Sequence, residues 1–494
     1  MLSALSLLSA AGYRRYKILG SGFFRRLAVL LSLLCFFALS AALAIDAPLS
    51  QIPDDSALRR KLFEPWFTEI PSRVLARSAY LETLPGGERV EVRTELGINE
   101  FGIVLAREIA GGFPGWAQGS WVITRNTGNG RLTRARFFPR SDPYTYIQFR
   151  PLDENRGLLD VVAYDAYIAQ SVIMPLNLER IITIPLQDTL DAANRQDILR
   201  YFEPHLENYA NVRELISHIR QFLPKLSFAD DGAINEDGSY VFISTLQPQT
   251  ANPGLNCSGF AKWLIDGLLA PVTGKRLSIS ALKQPYGTRG SSFTAPYEAS
   301  RDPFFGLDWI RNLAAAVNST LKSPAFGVLD EIEVKESPFS QIILRSGRTS
   351  RISYSTGFLP DAGFDIKDLR ALLFTLAINE PGTIYLGAVN NELPPKPRMR
   401  QYFHIAALFP YFDEHGTFHI LVFESASETR FNSFIARYPN HYINLVRIPI
   451  ENPPTSARQR VSHALRASSL PPLAGGGAAF ESIAPASGFY IRSR

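Results

Sequence analysis

Between residues 80 and 186 the chain alternates apolar and polar positions in short runs. Examples are Arg89-Val-Glu-Val-Arg-Thr, Gly119-Ser-Trp-Val-Ile-Thr-Arg, Arg134-Ala-Arg-Phe-Phe, Thr145-Tyr-Ile-Gln-Phe-Arg and Leu158-Leu-Asp-Val-Val-Ala-Tyr. A period of two with β-branched enrichment, broken by turn clusters such as Asn126-Thr-Gly-Asn-Gly130 and Asp142-Pro143, predicts strands. Residues 46–186 therefore read as an all-β accessory module, a sandwich or open barrel, entered through a short helix at 56–63. The period then changes. Leu190, Ala193, Ile198 and Phe202, followed by Leu215, Ile219 and Leu223, have helical spacing, so 187–226 reads as a helical linker.

Residues 227–450 mix both patterns and predict an α+β domain. Strands are expected at 238–244, 383–387, 401–412, 417–424 and 442–448. A helix opens at Cys257 with Phe260, Trp263, Leu264 and Leu268 on one side. A second is expected at 307–321, inside an insertion spanning about 270–380. Asp365 reads as the N-cap of a third running to Ile378. After Glu451 the chain is rich in Pro, Ala, Gly and Ser, and 451–494 reads as a low-complexity tail.

Charge and targeting signals alter this picture at the N-terminus. Arg14, Arg15, Lys17, Arg25 and Arg26 form a basic stretch without acids, followed by an apolar run from Leu27 ending in Ala42-Leu-Ala44. That pattern predicts an export signal over residues 1–44, with an uncleaved membrane anchor as the alternative. Leu33 and Leu34 before Cys35 argue against a lipoprotein signal, which needs small residues there. Cleavage would remove five of the 51 Lys and Arg, leaving 46 against 46 Asp and Glu. The formal +5 would fall to zero, so charge gives no support to a nucleic-acid partner. Of the two cysteines only Cys257 would remain, a lone thiol in an exported chain.

A cysteine nucleophile needs a lowered thiol pKa, a base, and donors for a tetrahedral oxyanion. The first turn of a helix helps with two of these. Its positive dipole end favours thiolate, and its free N–H groups point at developing negative charge. A buried cysteine that only fills space is the simpler alternative.

The residues around Cys257 resemble a known family. Asn256-Cys-Ser-Gly-Phe260 is similar to the Asp-Cys-Ser-Gly-Phe signature of NlpC-type cell-wall cysteine peptidases, within the papain-like superfamily. Tyr240-Val-Phe-Ile-Ser244, Gly254-Leu-Asn-Cys257, Glu380-Pro-Gly-Thr-Ile-Tyr385 and His404-Ile-Ala-Ala-Leu408 follow in the family's order. The resemblance covers about residues 235–450 and implies a papain-like catalytic domain with a large helical insertion. It implies Cys257 as nucleophile, His404 as base, Tyr240 lining the substrate pocket, and a peptidoglycan or other cell-envelope peptide as substrate. There are departures. Asn256 replaces Asp, Ile243-Ser244 replaces a Gly pair, and Thr383 replaces Asp. The long interval from Cys257 to His404 implies that the insertion is a lid, a specificity element or a wall.

The base can be argued independently. Among seven histidines, His404 alone begins an apolar strand, where a histidine is unexpected without a partner; a core histidine satisfied by a carbonyl is the alternative. If 401–412 and 417–426 form a hairpin about Asp413-Glu-His-Gly416, residue 404 lies opposite 425 or 426. Glu424 is then near His404, whereas His419 is about 20 Å along the strand at 3.3 Å per residue. Register decides the face: a two-residue turn puts Glu424 on the opposite side, an odd loop or a bulge on the same side. Ser258 is a further candidate, for substrate binding or for capping the helix, capping being the simpler role. No nucleotide loop, dinucleotide fingerprint or metal-ligand motif occurs, so no cofactor or metal is expected.

These readings predict an exported Cys257–His404–Glu424 hydrolase cleaving an amide bond in peptidoglycan peptides, in the periplasm or cell envelope. Two rivals remain: an inactive cell-envelope binding protein on the same fold, and an acyltransferase or amidase using the same cysteine.

Overall fold

The computed structural model describes residues 46–193, 196–287, 302–335, 341–342, 354–355, 357–360, 362–391 and 401–450. The expected export signal at 1–44 and the tail at 451–494 lie outside them, as does part of the expected insertion. Helix and sheet are mixed throughout, and the chain divides into two compact units at Leu206/Glu207, with Phe412–Phe418 grouped in the first.

The first unit is built on one antiparallel meander of eight strands in sequence order: β1 Tyr80–Thr83, β2 Arg89–Leu96, β3 Glu100–Arg107, β4 Trp121–Asn126, β5 Leu132–Phe137, β6 Thr145–Pro151, β7 Gly157–Ala163 and β8 Ala166–Met174. Alternation explains the sheet: Val90 and Val92, Ile103 and Leu105, Trp121 and Ile123, Ile147 and Phe149 are all buried. Helices also belong to this unit, which is where it departs from all-β. In α1 (Ser56–Lys61) the buried Arg59 stacks 4.2 Å over Trp121, pairs with Asp55 and caps the carbonyls of Ile182 and Ile184.

The second unit begins inside the segment read as a linker. Helix α2 (Ala210–Phe222) buries Val212, Leu215, Ile216 and Ile219 in the second unit's core, so these residues are core and not linker. A short hairpin follows, β9 Gly232–Ile234 with β10 Tyr240–Phe242. Helix α3 then runs from Cys257 to Thr273. It starts there because the Asn256 side chain accepts the Gly259 N–H at 2.8 Å, and it stops at Gly274, which takes a left-handed conformation. Phe260, Leu264 and Ile265 of α3 are buried, each worth about 1.5–3 kcal/mol of transfer free energy. Gly259 is required by close approach: a Cβ there would meet the Gly232 carbonyl oxygen of β9 at 2.0 Å.

For one helix of the insertion, one of the three expected roles falls away. Helix α4 (Phe305–Leu321) is no lid: Trp309, Ile310, Leu313, Ala314 and Val317 are wholly buried in the same core as α3, because the helix is apolar on the side that faces it. The Trp309 indole donates to the Ser258 carbonyl at 3.0 Å, tying α4 to the start of α3. Helix α5 (Leu369–Asn379) is entered through Asp365, whose side chain caps a preceding single turn.

Seven strands complete the unit in the order β11-β12-β17-β13-β14-β15-β16: β11 Phe358–Leu359, β12 Gly363–Asp365, β13 Thr383–Asn390, β14 Tyr402–Phe412, β15 Phe418–Glu424, β16 Ser427–Arg430 and β17 Tyr442–Pro449. Ile384, Leu386, Ile405, Ala407, Val446 and Ile448 share the core with α3 and α4, while Tyr385, Val389, Leu408 and Leu445 are buried on the other face. A sheet covered on both sides gives fixed positions from which to aim a side chain.

Candidate active site

Cys257 occupies the first helical position of α3 and is partly exposed. The Asn256 cap takes up the Gly259 N–H, and Phe260 begins the internal ladder by donating to the Asn256 carbonyl at 2.9 Å. The N–H groups of Cys257 and Ser258 have no such partner among the described residues, so they remain as donors. A neutral Asn at this position caps the helix without adding a negative charge beside the sulfur. Asn256 also corrects the capping role expected of Ser258. Ser258 is buried, with its hydroxyl 4.0 Å from the sulfur and its carbonyl on Trp309.

His404 reaches the sulfur from β14, and a bulge aims it. Val389 pairs with His404 while Asn390 pairs with Tyr402, so Phe403 is an extra residue in the ladder. The His404 ring is close enough to Cys257 for each to shift the other's ionisation. Its Nε2 is 2.5 Å from Glu424 Oε2, which leaves Nδ1 as the nitrogen for the sulfur.

Glu424 reaches His404 because the hairpin loop is odd. The Asp413 N–H donates to the Thr417 carbonyl at 3.0 Å, leaving Glu414, His415 and Gly416 as a three-residue loop with Gly416 left-handed at φ 76°. Residues 404 and 424 then share a face, the condition that decides the register. His419 is instead stacked on Tyr411 with ring centroids 5.3 Å apart, away from His404. Beyond Glu424 the chain turns through Ser425 and Ala426, both left-handed at φ 48° and 63°, into β16. Two non-glycine residues in that region store strain directly beside the carboxylate.

The electrostatics favour a charged pair. Burial pushes the Cys257 thiol up, but His404, the Ile405 N–H and the Ser258 hydroxyl outweigh it, and the thiol falls below its ordinary 9.0. Burial lowers His404, yet Cys257 and Glu424 raise it to about 9. Burial raises Glu424, while His404, Thr429 and Arg437 bring it down to about 2. The arrangement therefore supports thiolate and imidazolium together, held by an anion that does not take up a proton near neutrality.

Several neighbours were not legible beforehand. Thr429 Oγ1 and Arg437 Nη1 each donate to Glu424 Oε1 at 2.7 Å. Phe403, Tyr438 and His441 form an aromatic group beside His404, with the Tyr438 ring 5.8 Å from it. Tyr240, by contrast, is half-buried on β10 and makes no hydrogen bond with Cys257, Ser258 or His404. The described residues contain no His, Cys, Asp and Glu cluster suited to a metal. A cleft of about 940 Å³ lies elsewhere, lined by Thr383, Arg447 and Pro449 at the opposite end of β13 from Val389, about 20 Å away at 3.3 Å per residue. None of the Cys257, His404 and Glu424 side chains lines that cleft.

Residues 48–198 match a family model described as a domain of unknown function, DUF8515. That match covers the eight-stranded sheet and ends before Cys257. Neither a curated protein nor a solved structure matches the chain.

Proposed function

We propose that the chain is an exported cysteine hydrolase of the NlpC type, papain-like in its second unit, that cleaves an amide bond in peptidoglycan peptides. One observation carries the reading: Cys257 at a helix start, His404 at a bulge and Glu424 at a hairpin end converge with the ionisation a cysteine nucleophile needs.

The chemistry follows from these positions. The Cys257 thiolate attacks the amide carbonyl carbon, and the carbonyl oxygen becomes an oxyanion facing the Cys257 and Ser258 N–H groups. Collapse breaks the C–N bond while the His404 imidazolium gives its proton to the departing amine. Neutral His404 then takes a proton from water, which attacks the thioester. The C–S bond then breaks, the carboxylic acid product leaves and loses its proton to solvent, and thiolate and imidazolium are restored. Glu424 orients His404 and stabilises its charge without itself accepting the proton. No cofactor enters these steps.

The peptidoglycan substrate rests on the resemblance around Cys257, and export rests on the 1–44 segment. That segment is also the only proposed route to a membrane. Among the described residues no helix is long and apolar enough to cross one. Digestion of purified muropeptides by the wild type and by Cys257→Ala tests the reading. New amine and carboxyl termini should form only with the wild type; identical products would reject hydrolysis by this cysteine. Acyl transfer would appear in the same assay as an amide joined to an added amine.

A further inference from the structure

Glu424 is only 3% exposed, and its two oxygens do different things. Oε2 meets His404, while Oε1 accepts from Thr429 on β16 and from Arg437, the last residue of α6 (Phe431–Arg437). The guanidinium, 38% exposed, also lies 5.6 Å from the centre of the Tyr438 ring, and that ring lies against His404. Arg437 thus grips both the carboxylate behind the histidine and the ring beside it.

We infer that Arg437 is a positioning residue for the Cys257–His404 pair, acting only through Glu424 and Tyr438 and never on substrate. This rests on the proposed reading of the site. A buried carboxylate with His404 and Thr429 alone can rotate and take up a proton. A second cation on the far oxygen locks both its orientation and its charge. The charged and titratable groups around Glu424 are His404 on β14, Cys257 on α3, Arg437 and Tyr438 at the end of α6, and His441 in the following loop. His441 Nδ1 is buried without a hydrogen-bond partner among the described residues, and burial lowers its pKa, so it supplies no compensating positive charge at neutral pH.

The test is the pH titration of Cys257 thiolate by ultraviolet absorbance on the full chain, taken as a difference from Cys257→Ser. In Arg437→Met the thiolate should appear at higher pH than in the wild type, because a Glu424 free to turn holds the His404 imidazolium less firmly beside the sulfur. Arg437→Lys should recover most of that shift but not the full rate of thiol alkylation, since Lys lacks the planar fork. Superimposable wild-type and Arg437→Met titrations would overturn the inference while leaving the cysteine reading intact. A wild-type thiol that ionises no earlier than its ordinary 9.0 would overturn both. Circular dichroism of both Arg437 variants separates misfolding from a local effect: a pH shift in a folded Arg437→Met supports positioning. If Arg437→Met unfolds, Arg437→Lys decides, and an alkylation rate equal to wild type contradicts the inference.

Discussion

Two buried carboxylates in the second unit have a nitrogen partner at the same 2.5 Å, yet they ionise in opposite senses. Glu424 faces His404 and is held down to about 2; Asp266 faces Lys262 within α3 and is pushed up from its ordinary 3.8. Burial does not distinguish them, since both are at least nine-tenths buried. The count of donors does. Glu424 has His404, Thr429 and Arg437, two of them cationic. Asp266 has Lys262 and one peptide N–H, that of Leu277. Burial also lowers Lys262, so that pair leans toward neutrality while the other is built to stay charged. A buried ion pair is thus not evidence of function in itself. What marks Glu424 is that three side-chain donors, two of them cationic, meet its two oxygens.

The largest effect should come from Glu424→Gln, which keeps the shape but removes the charge. Turnover of muropeptide should drop by about 10²–10⁴-fold, the range of general acid–base assistance, with the folded state retained in circular dichroism. Activity within a factor of two of wild type would mean that Glu424 is a bystander. On the other side of the comparison, Lys262→Met strands Asp266 and should destabilise the protein by about 3–5 kcal/mol in urea unfolding. Replacing both, Lys262→Met with Asp266→Leu, should be close to neutral. Thiol alkylation rate per folded molecule should be unchanged in either, and a change would link the second pair to the site after all.

The pH dependence sharpens the contrast next. Glu424 is depressed from 4.5, so its contribution to stability is present above 4.5 and lost as pH falls toward 2. His404 is raised from 6.5, so its contribution is complete below 6.5 and lost as pH rises through about 9. The stability difference between wild type and Glu424→Gln should therefore peak between pH 4.5 and 6.5 and shrink on both sides. Urea midpoints measured across pH check this; a flat difference would contradict it. The smallest effect belongs to the strained turn. Ser425→Asn with Ala426→Gly suits two left-handed positions and should raise stability by about 1 kcal/mol or less, read as the thermal midpoint.

The legible parts of this molecule are those where a pattern is local. Alternation in 89–94 and 119–125 marked two central strands of the first unit, and an apolar strand starting at His404 stood out against its own composition. The candidate pairing of Glu424 with His404 reduced to one question, loop parity, which Gly416 answers by taking a left-handed conformation that closes a three-residue loop. What was not legible depends on partners distant in the chain. Nothing in Tyr402-Phe403-His404 announces a bulge, which exists only because β13 pairs across it. Arg437 looks like an ordinary basic helix end until β16 folds back and brings it to Glu424. Helix α2 reads as a linker because its periodicity says only that one face is apolar, not which unit that face packs into.

The central claim is that Cys257 is a thiolate held by protonated His404. Alkylation by iodoacetamide, followed by mass spectrometry of the Cys257 peptide, measures it directly in the wild type and His404→Ala across the pH range. The account predicts a wild-type rate already high at neutral pH and well below the thiol's ordinary 9.0, and a His404→Ala rate that rises only as pH approaches that value. Two coincident curves, both rising near 9.0, would show an inert buried thiol and contradict the account.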